Sequence, residues 1–209
     1  MVEIYLIRHA ESQANLHLEY IGGRMNETPL SEKGLLQAKL LGDRLKEQNI
    51  CFDLVYASPA VRTLQTARIS CQPIGYNLDQ ILIADDLQEM DMGQWVGNHR
   101  KDTYTPEIMA KIKADPWNFA APGGESQRQV EERGLIWMAN TIIPRSEEKL
   151  RIGVYTHAFF IKCLLRGIMN FDAKHTYAVE IDNTSITRLI YQNNHYRFGC
   201  INDAGHLLR

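Results

Sequence analysis

Apolar and polar positions along this chain change period several times, and each change marks an element. Residues 2–7 form a short apolar, partly β-branched run that stops on Arg8 and His9, the pattern of a buried strand. From Ser31 the spacing becomes helical: Leu35, Ala38, Leu41 and Leu45 share one face, and Ser31 stands where an N-cap belongs. Residues 52–57 predict a second strand. Ser58 and Pro59 follow as N-cap and first-turn residue of a helix that carries Arg62 and runs to about residue 69. A further strand is predicted near 81–84. Ser126 with Gln129 has the spacing of a capping box, opening a helix to about residue 143. Residues 151–156 predict a strand and 157–169 a largely apolar helix. Alternation over 176–181, 185–191 and 196–201 predicts closing strands. Strands alternating with helices imply an α/β fold, a mostly parallel central sheet with helices on both faces in three layers.

Residues 92–125 break this order. Their periodicity is weak, with prolines and scattered aromatics, so they read as an excursion from the core. No repeat or linker divides the chain, which predicts a single domain over 1–209. A chain of 209 residues with 44% hydrophobic and 23% charged residues is ordinary for such a domain. A net charge of −2 supplies no general attraction to nucleic acid or anionic lipid, and neither is expected as a partner. The four cysteines form no CxxC pair, which argues against zinc ribbons and thioredoxin-like redox motifs. Cys51, Cys163 and Cys200 have apolar or aromatic neighbours and are expected as buried, reduced thiols. No basic leader with an apolar core and no long apolar run is found, so a cytoplasmic protein without a membrane span is expected.

The chemistry gathers at predicted strand exits. One strand ends on Arg8 and His9, the next is followed by Arg62 one turn into a helix, and a third ends on Thr156 and His157. Ligands of α/β sheets collect at the carboxyl ends of the strands, so these side chains are expected in one pocket. Two guanidiniums and two imidazoles there suit a tetrahedral anion such as phosphate. Singly, each has a plainer reading: a structural histidine, a surface arginine. Their shared placement favours the site. A metal site is disfavoured, since no HExxH or short His/Asp spacing occurs and arginines would repel a cation.

The motifs LIRHAES with Asn15 beyond it, TPLSEKGLLQA, YASPAVRTLQTA, LQEMDMGQWVG, APGGES, VYTHAFFIKCLL and INDAGHL occur in this order over nearly the whole chain. Together they resemble the histidine phosphatase superfamily, the phosphoglycerate-mutase-like enzymes. The resemblance implies a phosphoglycerate-mutase-like fold, with residues 92–125 as a lid or cap over the pocket. It implies His9 as nucleophile forming a phosphohistidine, with Arg8, Arg62 and His157 on the phosphoryl oxygens and Asn15 adding a neutral hydrogen bond. Glu89 is the implied proton donor and acceptor, preferred over Asp86 and Asp91 because Gly93, Trp95 and Gly97 keep the family register. Arg24, in a glycine-bearing loop, is a candidate for a substrate carboxylate or second phosphate, against the plainer reading of a solvated loop arginine. Ala10 and Ala158 stand where glycine is frequent in the family and are expected to narrow the site slightly. The implied activity is a metal-independent phosphatase for small phosphorylated metabolites, without a cofactor; a cofactor-dependent mutase and a weakly active binding module are the alternatives. The pocket aromatics of the excursion are expected to be Trp95, His99, Tyr104 and Trp117. A homodimer is the one protein partner admitted.

Overall fold

The structure, a computed structural model, describes residues 1–208. Six strands form one sheet: β1 (Val2–Arg8), β2 (Leu54–Ala57), β3 (Leu82–Ile83), β4 (Leu150–Thr156), β5 (Ile186–Gln192) and β6 (His195–Asp203). Their order across the sheet is β3-β2-β4-β1-β5-β6. The four strands from β3 to β1 run parallel, while β5 pairs antiparallel with both β1 and β6.

The alternation of β1 decides what each face of the sheet meets. Val2, Ile4 and Leu6 point into one core with α5 (Gln127–Thr141) and α6 (Ala158–Met169). Tyr5 and Ile7 point into the other with α1 (Glu32–Glu47) and α2 (Val61–Cys71). This is why residues 4–7 of the strand are apolar without interruption: both of its faces are covered there. The expected α/β architecture, helices on both faces of a mostly parallel sheet, is what the structure has.

Two of the predicted caps form. Ser31 accepts the Gly34 N–H at 3.0 Å, and Ser126 and Gln129 close a reciprocal capping box, each worth about 1 kcal/mol to its helix. Gly34 also lets the chain leaving β1 pass close, since a Cβ there would lie 1.9 Å from the Glu11 carbonyl oxygen. The cap predicted at Ser58 is absent. α2 begins at Val61 with Ala60 in the N-cap place, because the Ser58 hydroxyl is engaged by His157. The strand predicted at 176–181 is also absent. Residues Ala173–Ala178 form a 3-10 helix whose first turn is capped by Asp172. Its buried residues, Ala173 and Thr176, lie three apart, the repeat of that helix.

Cys51 departs from expectation too. It is exposed, because it lies between α1 and β2 where its neighbours Ile50 and Phe52 turn inward. Cys163 is buried as expected, Cys200 is half-buried, and all four cysteines are free. The excursion contains α3 (Arg100–Thr103) and α4 (Pro106–Ala114). No helix among the described residues is long and apolar enough to cross a membrane.

Candidate active site

β1, β4 and the turn after β2 carry their chemistry to one end of the sheet. His9 follows β1 directly, and its N–H donates to the Thr156 carbonyl at 2.9 Å, tying the exits of β1 and β4 together. The ring is 4% exposed. Its Nδ1 lies 2.7 Å from the Ala10 carbonyl oxygen, which requires a proton on Nδ1. Arg62 Nε donates to His9 Nε2 at 3.3 Å, which requires a lone pair there. Both neighbours therefore select the same neutral tautomer, with the lone pair on Nε2. Burial, then the charges of Arg62 and Arg8, push the His9 pKa well below its ordinary 6.5, outweighing the Ala10 hydrogen bond.

Arg62 is the second residue of α2 and uses its whole guanidinium. Beyond His9, Nη1 donates to the Met25 carbonyl at 2.6 Å, and Nη2 to the Gly23 carbonyl at 3.3 Å and His157 Nδ1 at 3.1 Å. His157 therefore carries its proton on Nε2 and donates it to Ser58 Oγ at 2.8 Å. The two histidines, 5.2 Å apart between ring centroids, hold opposite tautomers, and Arg62 occupies both lone pairs. Burial, then Arg62 and His9, push the His157 pKa well below 6.5 as well.

Arg8 leaves the end of β1 and donates through Nη1 to the Ile181 carbonyl at 2.8 Å. Its buried Nε has no hydrogen-bond partner among the described residues. A buried guanidinium donor without an acceptor is costly, and an anion's oxygen is the acceptor that would satisfy it. Asn15 is oriented by Ser12, whose N–H donates to Asn15 Oδ1 at 2.9 Å.

Glu89 faces this cluster from the segment after β3. Its carboxylate accepts the N–H groups of Met90 at 2.9 Å, Phe160 at 3.2 Å and Phe159 at 3.3 Å, the last two from the first turn of α6. Its backbone is held as firmly. Arg24 Nε and Arg133 Nη2 both donate to the Glu89 carbonyl at 3.1 Å. Glu125 in turn binds Arg133 Nε at 2.9 Å and Arg24 Nη2 at 2.9 Å. Two residues away, the Thr156 hydroxyl donates to the Leu87 carbonyl at 2.6 Å.

A cavity of about 280 Å³ opens over Arg8, His9, Asn15, Arg62 and Glu89. The sequence thus located five residues of this wall. His157 belongs to the cluster but is fully buried behind Arg62 and does not line the cavity. Arg24 does not line it either: its guanidinium, partly exposed, is engaged by Glu125 and the Glu89 carbonyl. Of the excursion's four expected aromatics, Tyr104 lines the cavity; Trp95, His99 and Trp117 do not. Trp95 packs on Tyr104 and Phe119, and Trp117 lies under Arg166. Ala10 is fully buried against Leu30 and Ala38, its N–H donating to Thr66 Oγ1 at 3.0 Å, and its methyl does not line the cavity.

Ser58, Arg133 and Glu125 escaped the sequence reading as site residues. For Ser58 the signal was its position between a strand and Arg62, which reads equally as a cap. Glu125 sits in the APGGES motif, but nothing local pairs it with Arg24 and Arg133. No group of three or more His, Cys, Asp or Glu side chains among the described residues could share a metal ion.

Residues 4–204 match the model of a family described as the histidine phosphatase superfamily (branch 1). The chain is 25% identical over 183 residues to a 2,3-bisphosphoglycerate-dependent phosphoglycerate mutase of Rhizobium etli, covering 86% of each sequence. Its fold is similar to that of a phosphoserine phosphatase from Entamoeba histolytica solved in complex with 3-phosphoglyceric acid. That likeness has a TM-score of 0.84 at 23% identity and covers 99% of this chain and 100% of that one. An alpha-ribazole phosphatase from Shigella flexneri gives a TM-score of 0.81 at 22% identity, over 97% and 96%. At such identities the solved structures establish the fold alone.

Proposed function

The chain belongs to the histidine phosphatase superfamily, and from that premise we propose that it is a metal-independent phosphatase of small phosphomonoesters. It acts through a phosphohistidine at His9. The observation that carries the reading is the state of His9: buried, neutral, protonated on Nδ1, with its Nε2 lone pair at the base of a cavity whose floor is cationic.

In the first step Nε2 attacks phosphorus in line with the ester oxygen. The P–N bond forms as the P–O bond breaks, and Glu89 in its acid form gives its proton to the departing alkoxide. Water then attacks phosphorus, its proton passing to Glu89, and the P–N bond breaks to return neutral His9 and release phosphate. Arg8 and Arg62 balance the charge on the non-bridging oxygens. The unpartnered Arg8 Nε is the donor best placed for this, and Asn15 adds a neutral contact. His157 braces Arg62 in the resting site and reaches the phosphoryl group only when Arg62 turns toward it. Residues 92–125, taken as the lid, supply Arg100 and Tyr104 to the wall.

A second reading, a phosphoglycerate mutase, is favoured by the name of the Rhizobium etli relative. It shares the phosphohistidine and differs in handing the phosphoryl group back to an intermediate. The test is phosphate release from a panel of phosphomonoesters in EDTA, with wild type and His9→Ala side by side. Release by wild type alone is expected. Full activity of His9→Ala overturns the mechanism, and isomerisation of 3-phosphoglycerate with a bisphosphoglycerate primer, without release, makes the chain a mutase. Binding of inorganic phosphate with neither activity makes it a phosphate-binding module.

A further inference from the structure

The wall above the phosphate floor has a different character from the floor. It is formed in part by Tyr20, Tyr104, Phe159 and Tyr177, with aliphatic and thioether side chains between them. Several are left open to solvent: Tyr177 is 58% exposed, Tyr20 46% and Leu18 72%. Exposed large apolar side chains clustered around one cavity mark a surface that a ligand covers. The rings are held for the purpose. Phe159 and Tyr177 pack at 5.2 Å between centroids, and the Arg100 guanidinium lies 5.8 Å from the Tyr104 ring centre.

Size and charge point the same way. The cavity holds about 280 Å³, roughly nine waters at about 30 Å³ each, and a phosphoryl group fills less than half of that. Among the described residues of the wall, Arg100 and His17 are the basic groups besides Arg8 and Arg62. His17 lies 3.5 Å from Glu19, and Arg100 Nε already donates to the Tyr20 carbonyl. A small carboxylated ester would meet the Arg100 guanidinium above the floor but would leave the rings wet.

We propose that the substrate is a phosphomonoester whose alcohol part carries an aromatic or heteroaromatic ring, received between Tyr104 and the Phe159–Tyr177 pair, with Arg100 at its outer edge. This rests on the phosphomonoesterase reading. Contacts with such a wall depend on the presence of the ring itself.

The experiment compares matched esters of primary alcohols, so that leaving-group reactivity is nearly constant within each pair. One pair is 2-phenylethyl phosphate and ethyl phosphate; the other is a nucleoside 5′-monophosphate and ribose 5-phosphate. For wild type, kcat/KM is expected to be at least about tenfold higher for the ringed member of a pair. Tyr104→Ala and Tyr177→Ala are each expected to lower that ratio several-fold, while Tyr104→Phe and Tyr177→Phe keep it. Ratios near one in both pairs overturn the inference and leave the phosphatase standing, as does a ratio insensitive to both alanine variants. Release from none of the four esters overturns the phosphomonoesterase reading and this inference with it.

Discussion

Replacing Glu125 by Gln tests whether Glu89, the proposed proton-transfer group, is held by a network rather than by its own contacts. Glu125 is 17% exposed and is the shared counter-charge of Arg133, 14% exposed, and Arg24, 28% exposed. Both arginines end on the Glu89 carbonyl. The amide removes the charge and turns one acceptor into a donor facing guanidinium N–H groups. Breaking a buried pair from one side costs about 3–5 kcal/mol. Arg24 is partly solvated and has Asp91 at 3.9 Å as a substitute, so about 2–3 kcal/mol is expected. Urea denaturation measures it.

The catalytic consequence is separable from the stability loss. Acid catalysis by a placed side chain contributes about 10²–10⁴-fold, and a loosened Glu89 backbone forfeits part of it, about tenfold in kcat for alkyl phosphates. p-Nitrophenyl phosphate, whose leaving group needs no proton, is expected to change less. An unchanged ratio of alkyl to aryl kcat in Glu125→Gln would refute the argument that this network positions Glu89. The same carboxylate sets an acid limit. Burial raises its pKa, but Arg133, the Asp91 N–H and Arg24 outweigh this and hold it below its ordinary 4.5. Its contribution is therefore complete above about pH 4.5 and is lost as pH falls through the lower, folded value. The acid branch of the stability profile is expected to be flatter in the variant.

Three further outcomes are expected. Ser58→Ala removes the acceptor that fixes the His157 tautomer; a fall of about tenfold in kcat is expected, with Ser58→Thr restoring part of it, and an unchanged kcat in Ser58→Ala removes Ser58 from the site. Because His9 and His157 stay neutral in the fold but protonate near 6.5 when unfolded, the unfolded chain binds more protons below that pH. Stability is then lost as pH falls below about 6.5, by up to about 1.4 kcal/mol per pH unit for each histidine; denaturation at pH 7.5 and 5.5 is expected to show a smaller difference in His157→Gln. Gly34→Ala drives a methyl into the Glu11 carbonyl and is expected to lower stability by about 2–4 kcal/mol in thermal or urea unfolding, and a loss under 0.5 kcal/mol would show that the loop after β1 yields freely.

What could be read from the sequence was local chemistry. The apolar run of β1 ending on Arg8 and His9, the caps at Ser31 and Ser126, and the helix carrying Arg62 are each written within a few residues, and each stands where the pattern put it, save for the missing cap at Ser58. The convergence of the strand exits followed from a general property of α/β sheets. The errors arose where a residue answers to a distant partner. Ser58 reads as a cap until His157, at the exit of β4, takes its hydroxyl. Arg24 reads as a loop residue until Glu125 meets it. Thr176 and its neighbours alternate like a strand, although every position available beside β1 is already filled by β4 and β5. The aromatic wall was equally hidden, since Tyr20, Tyr104, Phe159 and Tyr177 come from four separate segments.

The place of β1 at the middle of the sheet has a consequence for biogenesis. Val2 pairs with Leu150 on one side and Tyr191 on the other. A ribosome exposes β1 first, yet neither of its neighbours emerges until most of the chain has been made. His9 therefore waits at the end of an unpaired apolar strand until those neighbours emerge. Closure over such sequence separations is slow compared with local helix formation, so activity is expected to appear abruptly, after β5 is available, and no fragment ending before residue 186 should assemble the site. A chaperone that shields β1 until β5 emerges would protect the strand that carries Arg8 and His9.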